Sequence, residues 1–221
     1  SLAVAMPIIS IMGIQCCPVP TAILSNHTGF ESCFIEDYSD RLPAYVAEWK
    51  KLGLAFDGIC SGFLGSPAQA AMVEEFIRAF SKPETVVLVD PVMGDYGAFY
   101  PTCSEELCDK MRELVRHADI ITPNITEACL LTGTRYKDRW TFRELEDLAG
   151  QLMEFGPKKV VITGIPLRTY LGNFCSEEGQ GSHLFRTLKI GNSRSGTGDI
   201  FAAILMADAV RGTDFRLSVH R

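Results

Sequence analysis

A glycine-rich turn followed by an acidic residue is the part of this sequence best suited to chemistry. Residues 193–199 read Ser-Arg-Ser-Gly-Thr-Gly-Asp and run directly into an apolar segment. Two glycines allow a tight turn with exposed backbone N–H groups, and the positive end of a following helix favours a phosphate. Asp199 then lies in the first helical turn, where a carboxylate can act as a general base. The alternative is that Asp199 or Thr197 only caps the helix.

This turn differs from two common phosphate loops. A P-loop needs Lys and then Ser or Thr after the second glycine of its motif, and no such string occurs in the sequence. Gly196-Thr197-Gly198 begins a dinucleotide fingerprint, but Phe201 takes the place of its last glycine, and little sequence remains for the acidic residue expected downstream. The turn therefore predicts a different kind of phosphate site.

A second acidic segment lies in the middle of the sequence. Residues 90–97 read Asp-Pro-Val-Met-Gly-Asp-Tyr-Gly, and Tyr100 follows. Asp90 and Asp95 are able to hold a divalent cation beside a polyphosphate, directly or through water. Asp, Pro and Gly also favour a simple turn. Both interpretations remain open from the residues alone.

Two further segments place polar groups after predicted strands. Residues 122–127 read Thr-Pro-Asn-Ile-Thr-Glu, in which Asn124 and Glu127 form an ordinary capping-box pattern. The functional alternative has Glu127 holding Mg²⁺ through water and Asn124 contacting a phosphate. Thr163 and Gly164 offer a hydroxyl and a bare backbone after another strand.

A polar loop near the start of the sequence is a candidate substrate site. Residues 25–30 read Ser-Asn-His-Thr-Gly-Phe, which combines an amide, an imidazole and two hydroxyls. Such groups suit the recognition of a small polar heterocycle, with Phe30 or Phe63 as a flat apolar surface. The alternative is a loop in which His27 makes only local hydrogen bonds.

Short apolar runs alternate with longer amphipathic segments, which predicts an α/β fold with a mainly parallel sheet covered on both faces. Helix start signals occur at Ser66-Pro67 and in the capping box that begins at Thr141. Ligands of such sheets bind beyond the carboxyl ends of the strands, where the polar motifs would meet. The predicted strands are 19–24, 58–61, 86–90, 120–122 and 160–163, followed by an antiparallel hairpin of 170–174 and 183–190.

Composition restricts the class of protein. The 221 residues fit one domain, and a net charge of −6 argues against a nucleic-acid partner. The apolar stretch 2–14 is too short to span a membrane and has no basic segment before it, so we expect neither an anchor nor a signal peptide. Eight scattered cysteines without a C-x-x-C pair predict reduced thiols, a cytoplasmic protein and no zinc site.

Taken together, the motifs resemble those of the ribokinase-like superfamily, and more narrowly of the pyridoxal (vitamin B6) kinases. Ser-Gly-Thr-Gly-Asp before a helix resembles the C-terminal motif of the superfamily, Asp-Pro-Val-Met-Gly-Asp with a later Tyr its middle motif, and Thr-Pro-Asn-x-x-Glu-Ala its nucleotide-side motif. Ser-Asn-His-Thr-Gly resembles the substrate loop of the pyridoxal kinases. The resemblance covers nearly the whole chain and implies one ribokinase-like domain over 1–221, a three-layer α/β/α fold and a homodimer.

The resemblance also implies ATP-dependent phosphorylation of the 5′-hydroxymethyl group of pyridoxal, pyridoxine or pyridoxamine. Asp199 would be the catalytic base. The remaining implied roles are an anion hole of Gly196, Thr197 and Gly198; substrate binding by Thr28 and His27; ATP binding by Asp95, Asn124, Thr163 and Tyr100; and Mg²⁺ binding by Asp90 and Glu127 with help from Asp95. A monovalent cation such as K⁺ is a further candidate ligand.

Other functions stay open beside this one. A hydroxymethylpyrimidine kinase of thiamine synthesis resembles the same motifs. A sugar kinase fits less well, because residues 30–54 leave little room for the β-rich lid of those enzymes. A binding protein without turnover would have little reason to keep Asp199.

The sequence departs from the family pattern at both ends. It begins with residues that resemble the first helix of the family, after the first strand, and it stops near 216–221, where the family continues towards the adenine pocket. The stretches after Gly29 and Gly164 look short. We therefore expect the N-terminal strand, the C-terminal end and parts of mobile loops to lie outside this sequence.

Overall fold

A six-stranded sheet forms the centre of the computed structural model, which describes residues 1–27, 30–191 and 194–221. In chain order the strands are β1 (Ala22–Leu24), β2 (Ile35–Asp37), β3 (Gly58–Ser61), β4 (Val86–Val89), β5 (Gly94–Asp95), β6 (Ala98–Phe99), β7 (Ile120–Ile121), β8 (Lys159–Leu167), β9 (Tyr170–Glu177) and β10 (Gly181–Leu188). The central order is β10-β9-β8-β7-β4-β3. Strands β3, β4, β7 and β8 are parallel, and β9 pairs antiparallel with β8 and β10. The predicted parallel sheet and late hairpin are confirmed.

Helices cover both faces of this sheet. They are α1 (Leu2–Ile11), α2 (Leu42–Lys51), α3 (Pro67–Phe80), α4 (Glu105–Val115), α5 (Ile125–Thr132), α6 (Phe142–Met153), α7 (Thr197–Val210) and α8 (Phe215–His220). Helices α3 to α6 pack in sequence on one face, and α7 packs on β3 and β4 from the other, with α1 and α8 against it. The three-layer α/β/α arrangement is therefore confirmed.

The apolar runs of the sequence become strands because both of their faces are buried. In β4, Val87 and Val89 point into the core under α3 to α6, and Leu88 points into the core under α7. Side chains alternate along a strand, so a run without polar residues can fill two cores at once. Val161 of β8 lies in the α7 core, with its neighbours Val160 and Ile162 in the other.

The predicted helix starts are also present. The Ser66 hydroxyl accepts a hydrogen bond from the Gln69 backbone N–H at 3.3 Å, and Pro67 occupies the first turn of α3. The Thr141 and Glu144 side chains form both bonds of a capping box at the start of α6. These short-range signals were readable from the sequence because each cap is made within three residues.

Two strand predictions need correction. The segment 19–24 contributes only the three residues of β1, which pair antiparallel with β2 in a separate two-stranded sheet. Ile23 stays 56% exposed there. Strand β8 does not end at Thr163 but continues to Leu167 past an irregularity between Ile162 and Ile165, because β9 still offers a pairing partner there.

Two further features of the structure concern the expected reduced thiols and the expected lack of a membrane anchor. All eight cysteines carry free thiols. Within the described part of the chain, no helix is both long enough and apolar enough to cross a membrane.

Candidate active site

The carboxyl ends of the parallel strands bring the polar motifs to one edge of the sheet. The Asp90 backbone N–H, just after β4, donates to the Ser61 carbonyl at the end of β3 at 3.0 Å. The Thr163 N–H donates to the Pro123 carbonyl at 2.9 Å, and Thr163 forms a parallel bridge with Asn124. The segments that follow β3, β4 and β7 therefore lie side by side with Thr163 of β8.

Asp90 is a buried carboxylate at this edge. Its side chain accepts a hydrogen bond from the Thr122 hydroxyl at 2.9 Å. The pKa of Asp90 is raised from its usual 3.8 to about 7, mainly by burial and also by the nearby charge of Asp199, while the Thr122 bond acts in the opposite direction. Asp90 and Asp199 therefore lie within electrostatic reach of each other, although they are far apart in the sequence.

Glu127 is a second buried carboxylate, and it closes a capping box. Its two oxygens accept backbone N–H groups from Asn124 at 2.8 Å and Met93 at 3.1 Å, and its own N–H donates to the Asn124 side chain at 2.9 Å. Burial, and then the charge of Asp90, raise the pKa of Glu127 well above its usual value. Glu127 therefore caps α5 and also lies beside Asp90.

The segment after Asp90 forms a small hairpin instead of a simple turn. Strands β5 and β6 pair across Tyr96 and Gly97, which have positive φ angles of 51° and 80°. The hairpin is fixed to α5, because the Asn124 side chain donates to the Gly94 carbonyl at 2.8 Å and Gly97 N–H donates to the Thr126 hydroxyl at 2.9 Å. This attachment holds Asp95 at the edge of the site.

Tyr100 lies beside three carboxylates, those of Asp90, Asp95 and Glu127, which together are called the acidic group. Its backbone N–H donates to the Met93 carbonyl at 2.9 Å. The pKa of Tyr100 is raised to about 12, first by burial and then by the charges of Asp95, Glu127 and Asp90. The Tyr100 hydroxyl is therefore near all three carboxylates and stays protonated at neutral pH.

The glycine turn lies at the start of α7, as predicted. Gly196 is the N-cap residue with a φ of +89°, a conformation that favours glycine. Among the described residues no side chain caps this helix, so the interpretation of Asp199 or Thr197 as a simple cap is wrong. Thr197 donates its hydroxyl to the Arg194 carbonyl at 3.3 Å instead. The side chain of Asp199 is partly exposed and contacts the amino group of Ser1.

The predicted substrate loop lies after β1. The His27 ring packs against the Phe30 ring with centroids 4.5 Å apart. Thr28, the other predicted substrate residue, lies outside the described residues. At the other end of β1, the Thr21 hydroxyl donates to the carbonyl of Phe63, two residues after β3, at 3.3 Å.

Two polar residues beside the site were not predicted. Thr126 lies within the quoted 122–127 motif and holds the hairpin through Gly97. Gln69 is fully buried in the first turn of α3 and contacts both the β1–β2 sheet and the loop after β3. Gln69 shares the inward face of α3 with Val73 and Ile77 at helical spacing. A polar residue on an otherwise apolar helix face is the signal that points to it.

The buried carboxylates of this site suit a cation that takes its remaining ligands from water and phosphate. In residues 1–27, 30–191 and 194–221, no group of three or more His, Cys, Asp or Glu side chains is arranged to hold a metal ion. Asp90 and Glu127 are nevertheless two buried carboxylates whose pKa values are raised by burial. A cation would compensate their charge, and Mg²⁺ commonly binds one or two carboxylates together with water and phosphate.

Comparisons with known proteins identify the family of this chain. The model of the phosphomethylpyrimidine kinase family matches residues 9–221. The chain is 31% identical over 208 residues to a pyridoxal kinase of Arabidopsis thaliana, covering 90% of this chain and 66% of that protein. It is 28% identical over 202 residues to a candidate pyridoxal kinase of Schizosaccharomyces pombe, covering 86% of this chain and 57% of that protein. The chain thus spans about three fifths of these curated relatives.

Solved structures are similar over almost the whole chain. A candidate phosphomethylpyrimidine kinase of Bacteroides thetaiotaomicron, crystallised with pyridoxal, has a TM-score of 0.95 at 36% identity and covers 99% of this chain and 78% of its own. The pyridoxal kinase of Lactobacillus plantarum has a TM-score of 0.91 at 29% identity, with 100% and 79% covered. The pyridoxal kinase of Leishmania donovani in complex with ADP and ginkgotoxin has a TM-score of 0.87 at 26% identity, with 99% and 77% covered. The chain therefore belongs to the phosphomethylpyrimidine kinase family, among the pyridoxal kinases of the ribokinase-like superfamily.

Proposed function

We propose that the chain is an ATP-dependent kinase that phosphorylates the 5′-hydroxymethyl group of pyridoxal, pyridoxine or pyridoxamine. The observation that carries this proposal is the position of Asp199, which follows the glycine turn at the start of α7 and lies within electrostatic reach of buried Asp90. The pyridoxal and ADP bound by the similar structures support the substrate and the nucleotide.

Asp199 is the general base in this mechanism. Its carboxylate accepts the proton of the substrate hydroxyl while the hydroxyl oxygen attacks the γ-phosphorus of ATP. The new bond joins the substrate oxygen to phosphorus, and the bond from phosphorus to the β–γ bridging oxygen breaks, leaving ADP. The turn of Gly196, Thr197 and Gly198 supplies backbone N–H donors for the transferring phosphoryl group, worth about 3 kcal/mol each in comparable oxyanion sites.

The buried carboxylates supply the nucleotide side of the site. We propose that Asp90 and Glu127, with Asp95, hold Mg²⁺ directly or through water. When bound, Mg²⁺ neutralises charge on the β- and γ-phosphates during in-line transfer. K⁺ is the proposed monovalent ligand of the same edge.

Four residues form the proposed ATP contacts. Asn124 uses one side-chain N–H for the Gly94 carbonyl, which leaves its second N–H able to reach a phosphate. Thr163 offers a half-buried hydroxyl at the same edge. Tyr100 and Asp95 complete the group, because the protonated Tyr100 hydroxyl can donate to a phosphate oxygen.

The substrate side is assigned to the loop after β1. We propose that His27 and Thr28 bind the polar edge of the pyridine ring, with Phe30 and Phe63 as apolar surfaces. A hydroxymethylpyrimidine (phosphate) kinase of thiamine synthesis is the second candidate function, because the matching family model is named for phosphomethylpyrimidine kinase.

The decisive measurement is kcat/KM of the full-length protein with ATP and Mg²⁺ for the three B6 vitamers and for hydroxymethylpyrimidine. We expect at least one vitamer to be phosphorylated with a higher kcat/KM than the pyrimidine. The reverse order would assign the chain to the second candidate. Turnover of none of these compounds would contradict both.

Replacing Asp199 by Asn tests the mechanism. We expect kcat to fall about a thousandfold, because a general base contributes on that order, while ATP binding is kept. Asp214→Asn is the matched control, since Asp214 caps α8 through Leu217 N–H and Asn caps equally well. Near-native turnover of Asp199→Asn would contradict the assigned base.

Assembly and location are also proposed. We expect a homodimer, and light scattering that gives the monomer mass across working concentrations would contradict it. The eight free cysteines are consistent with a cytoplasmic location.

A further inference from the structure

One buried amide connects the small β1–β2 sheet to the body of the protein. The Gln69 side chain is 0% exposed. Its oxygen accepts the Gly65 backbone N–H at 2.8 Å. Its nitrogen donates to the Thr21 carbonyl at 2.8 Å, the Asp37 carboxylate at 3.0 Å and the Ser39 hydroxyl at 3.1 Å. Every polar atom of this amide is therefore in use.

The partners of Gln69 come from two separate parts of the site. Thr21, Asp37 and Ser39 belong to the ribbon, a name used here for residues 21–27 and 30–39, which contains β1, β2 and His27. Gly65 belongs to the loop between β3 and α3, two residues after Phe63. The amide thus joins the part that carries the proposed substrate residues to the part that carries Phe63.

The ribbon has little apolar packing that could fix its position. Ile23 is 56% exposed, Phe34 is 64% exposed, and neither strand is hydrogen-bonded to the central sheet. The Thr21 hydroxyl also donates to the Phe63 carbonyl of the β3–α3 loop, in a longer bond of 3.3 Å. Buried hydrogen bonds resist exchange with water, so the Gln69 amide, with three bonds to the ribbon and one to the loop, attaches the two parts firmly.

The attachment lies next to the catalytic edge. Phe63 follows Ser61, whose carbonyl accepts the Asp90 N–H at 3.0 Å. A shift of the ribbon relative to the β3–α3 loop would therefore change the distance between the substrate loop and the acidic group. Small displacements of this kind lower turnover or substrate affinity strongly.

The charge of Asp37 strengthens the contact. The Asp37 carboxylate also accepts the Ser39 backbone N–H at 2.7 Å and the Ser39 hydroxyl. These Ser39 bonds, together with the Gln69 bond, lower the pKa of Asp37. Asp37 is therefore ionised at neutral pH, and bonds to an ionised acceptor are stronger than bonds between neutral groups.

We propose that Gln69 is a positioning residue that fixes the ribbon against the β3–α3 loop and thereby sets the geometry of substrate binding. This inference rests on the proposed function, since it assumes that the ribbon binds the phosphoryl acceptor. It assigns no chemical step to Gln69, which acts through His27 and Phe63.

Replacing Gln69 by Glu tests the proposal. The new carboxylate keeps an acceptor for Gly65 but sets an acceptor and a like charge against Thr21 and Asp37. We expect KM for pyridoxal to rise about tenfold or more, which corresponds to the loss of one charge-assisted hydrogen bond, while KM for ATP stays within about twofold. Gln151→Glu, on the exposed side of α6, is the matched control and should change neither constant.

Two further measurements keep the test sharp. The Ser25 and Tyr38 amides, which bond across the ribbon to Phe34 and Thr21, should exchange hydrogen faster in Gln69→Glu than in the native protein, while amides of α6 should not. Adding Asp37→Asn removes one of the two like charges and should recover part of the lost affinity. Asp37→Asn alone, at an exposed position, serves if Gln69→Glu fails to fold, and it should raise KM for pyridoxal about threefold.

The outcomes separate this inference from the proposed function. If the native protein does not phosphorylate a B6 vitamer, the proposed function fails. If the native protein is active but the variants raise KM for pyridoxal and ATP equally, or leave ribbon exchange unchanged, the positioning role of Gln69 is wrong.

Discussion

The same helix-start motif stands at the start of α5 and at the start of α6. In the first, Asn124 and Glu127 exchange hydrogen bonds, and in the second, Thr141 and Glu144 do the same. The glutamate accepts the N-cap backbone N–H at 2.8 Å in both. As local structures the two capping boxes are nearly identical.

Their electrostatic surroundings are opposite. Glu127 is 3% exposed and lies beside Asp90, and its pKa is raised by burial. The Glu144 side chain is 42% exposed and pairs with Lys137, whose hydrogen bond is the main reason that the pKa of Glu144 falls to about 2. In the described part of the chain, Glu127 lies beside another carboxylate and forms no ion pair, whereas Glu144 is paired with Lys137.

The difference shows what a capping motif can and cannot indicate. The motif predicts where a helix begins, because its bonds form within four consecutive residues. The pKa of its carboxylate depends on residues outside the motif, Asp90 in one case and Lys137 in the other. Only the buried box combines helix capping with a carboxylate able to bind a cation.

Replacing the two glutamates by Gln should give the largest contrast. We expect Glu127→Gln to lower kcat/KM for the B6 substrate by about a hundredfold, because an uncharged amide is a poor Mg²⁺ ligand. Glu144→Gln should keep kcat/KM within about twofold, because Glu144 is partly exposed and is paired with Lys137 and Thr141 instead of Asp90. Steady-state kinetics over a range of Mg²⁺ concentrations checks both variants.

Circular dichroism controls for the fold in this pair. Equal helix content with unequal activity supports the distinction between the boxes. Equal loss of activity in both variants would contradict it, and so would full activity in Glu127→Gln.

The next largest effect concerns Asp90 and pH. The pKa of Asp90 is about 7 in the folded protein against a usual 3.8, so the native state binds an extra proton between these values. The free energy of unfolding should therefore fall as pH rises through this window. Asp90→Asn keeps the acceptor for Thr122 and should raise stability at pH 8 by a few kcal/mol, with little gain near pH 4.

Urea unfolding from about pH 4 to pH 8 measures this effect. Asp147→Asn, at an exposed position in α6, is the matched control and should leave the pH dependence unchanged. A variant of Asp90 that is less stable than the native protein at pH 8 would show that the buried charge is compensated. We also expect Asp90→Asn to lose activity, since the proposed Mg²⁺ site needs its charge.

The smallest effect concerns the exposed box. The pKa of Glu144 is lowered, so its pairing contributes stability above its usual value of 4.5 that is lost as pH falls towards about 2. Lys137→Met removes the main cause and should return the pKa of Glu144 towards its usual value, with only a small loss of stability at pH 7. A carboxyl titration by NMR checks the shift, and an unchanged Glu144 pKa would contradict the assigned cause.

Much of the fold could be predicted because its signals are local. The start of α3 at Ser66, the start of α6 at Thr141 and the buried run of β4 were all readable from a few adjacent residues. Sheet membership was harder, since a short run of strand-forming residues does not identify its partner. Segment 19–24 was placed among the main strands, but Ala22–Leu24 pairs with β2 because that is the neighbour that the chain brings beside it.

The sequence predicted the residues of the site better than the hydrogen bonds between them. The motifs named Asp90, Asn124 and Glu127, and the structure places them at one edge of the sheet. Gln69 was missed because its four hydrogen bonds reach residues 4 to 48 positions away, and no local pattern encodes such contacts.

The helix starts, the buried strands, the order of the motifs and the glycine turn before α7 could all be read from the amino-acid order, because they depend on short-range sterics and on hydrophobic period. The burial of Glu127 against Asp90, the pairing of Glu144 in solvent and the absence of a cap from Asp199 emerge only when the chain is folded. Burial and electrostatic environment are sums over residues that meet only after folding.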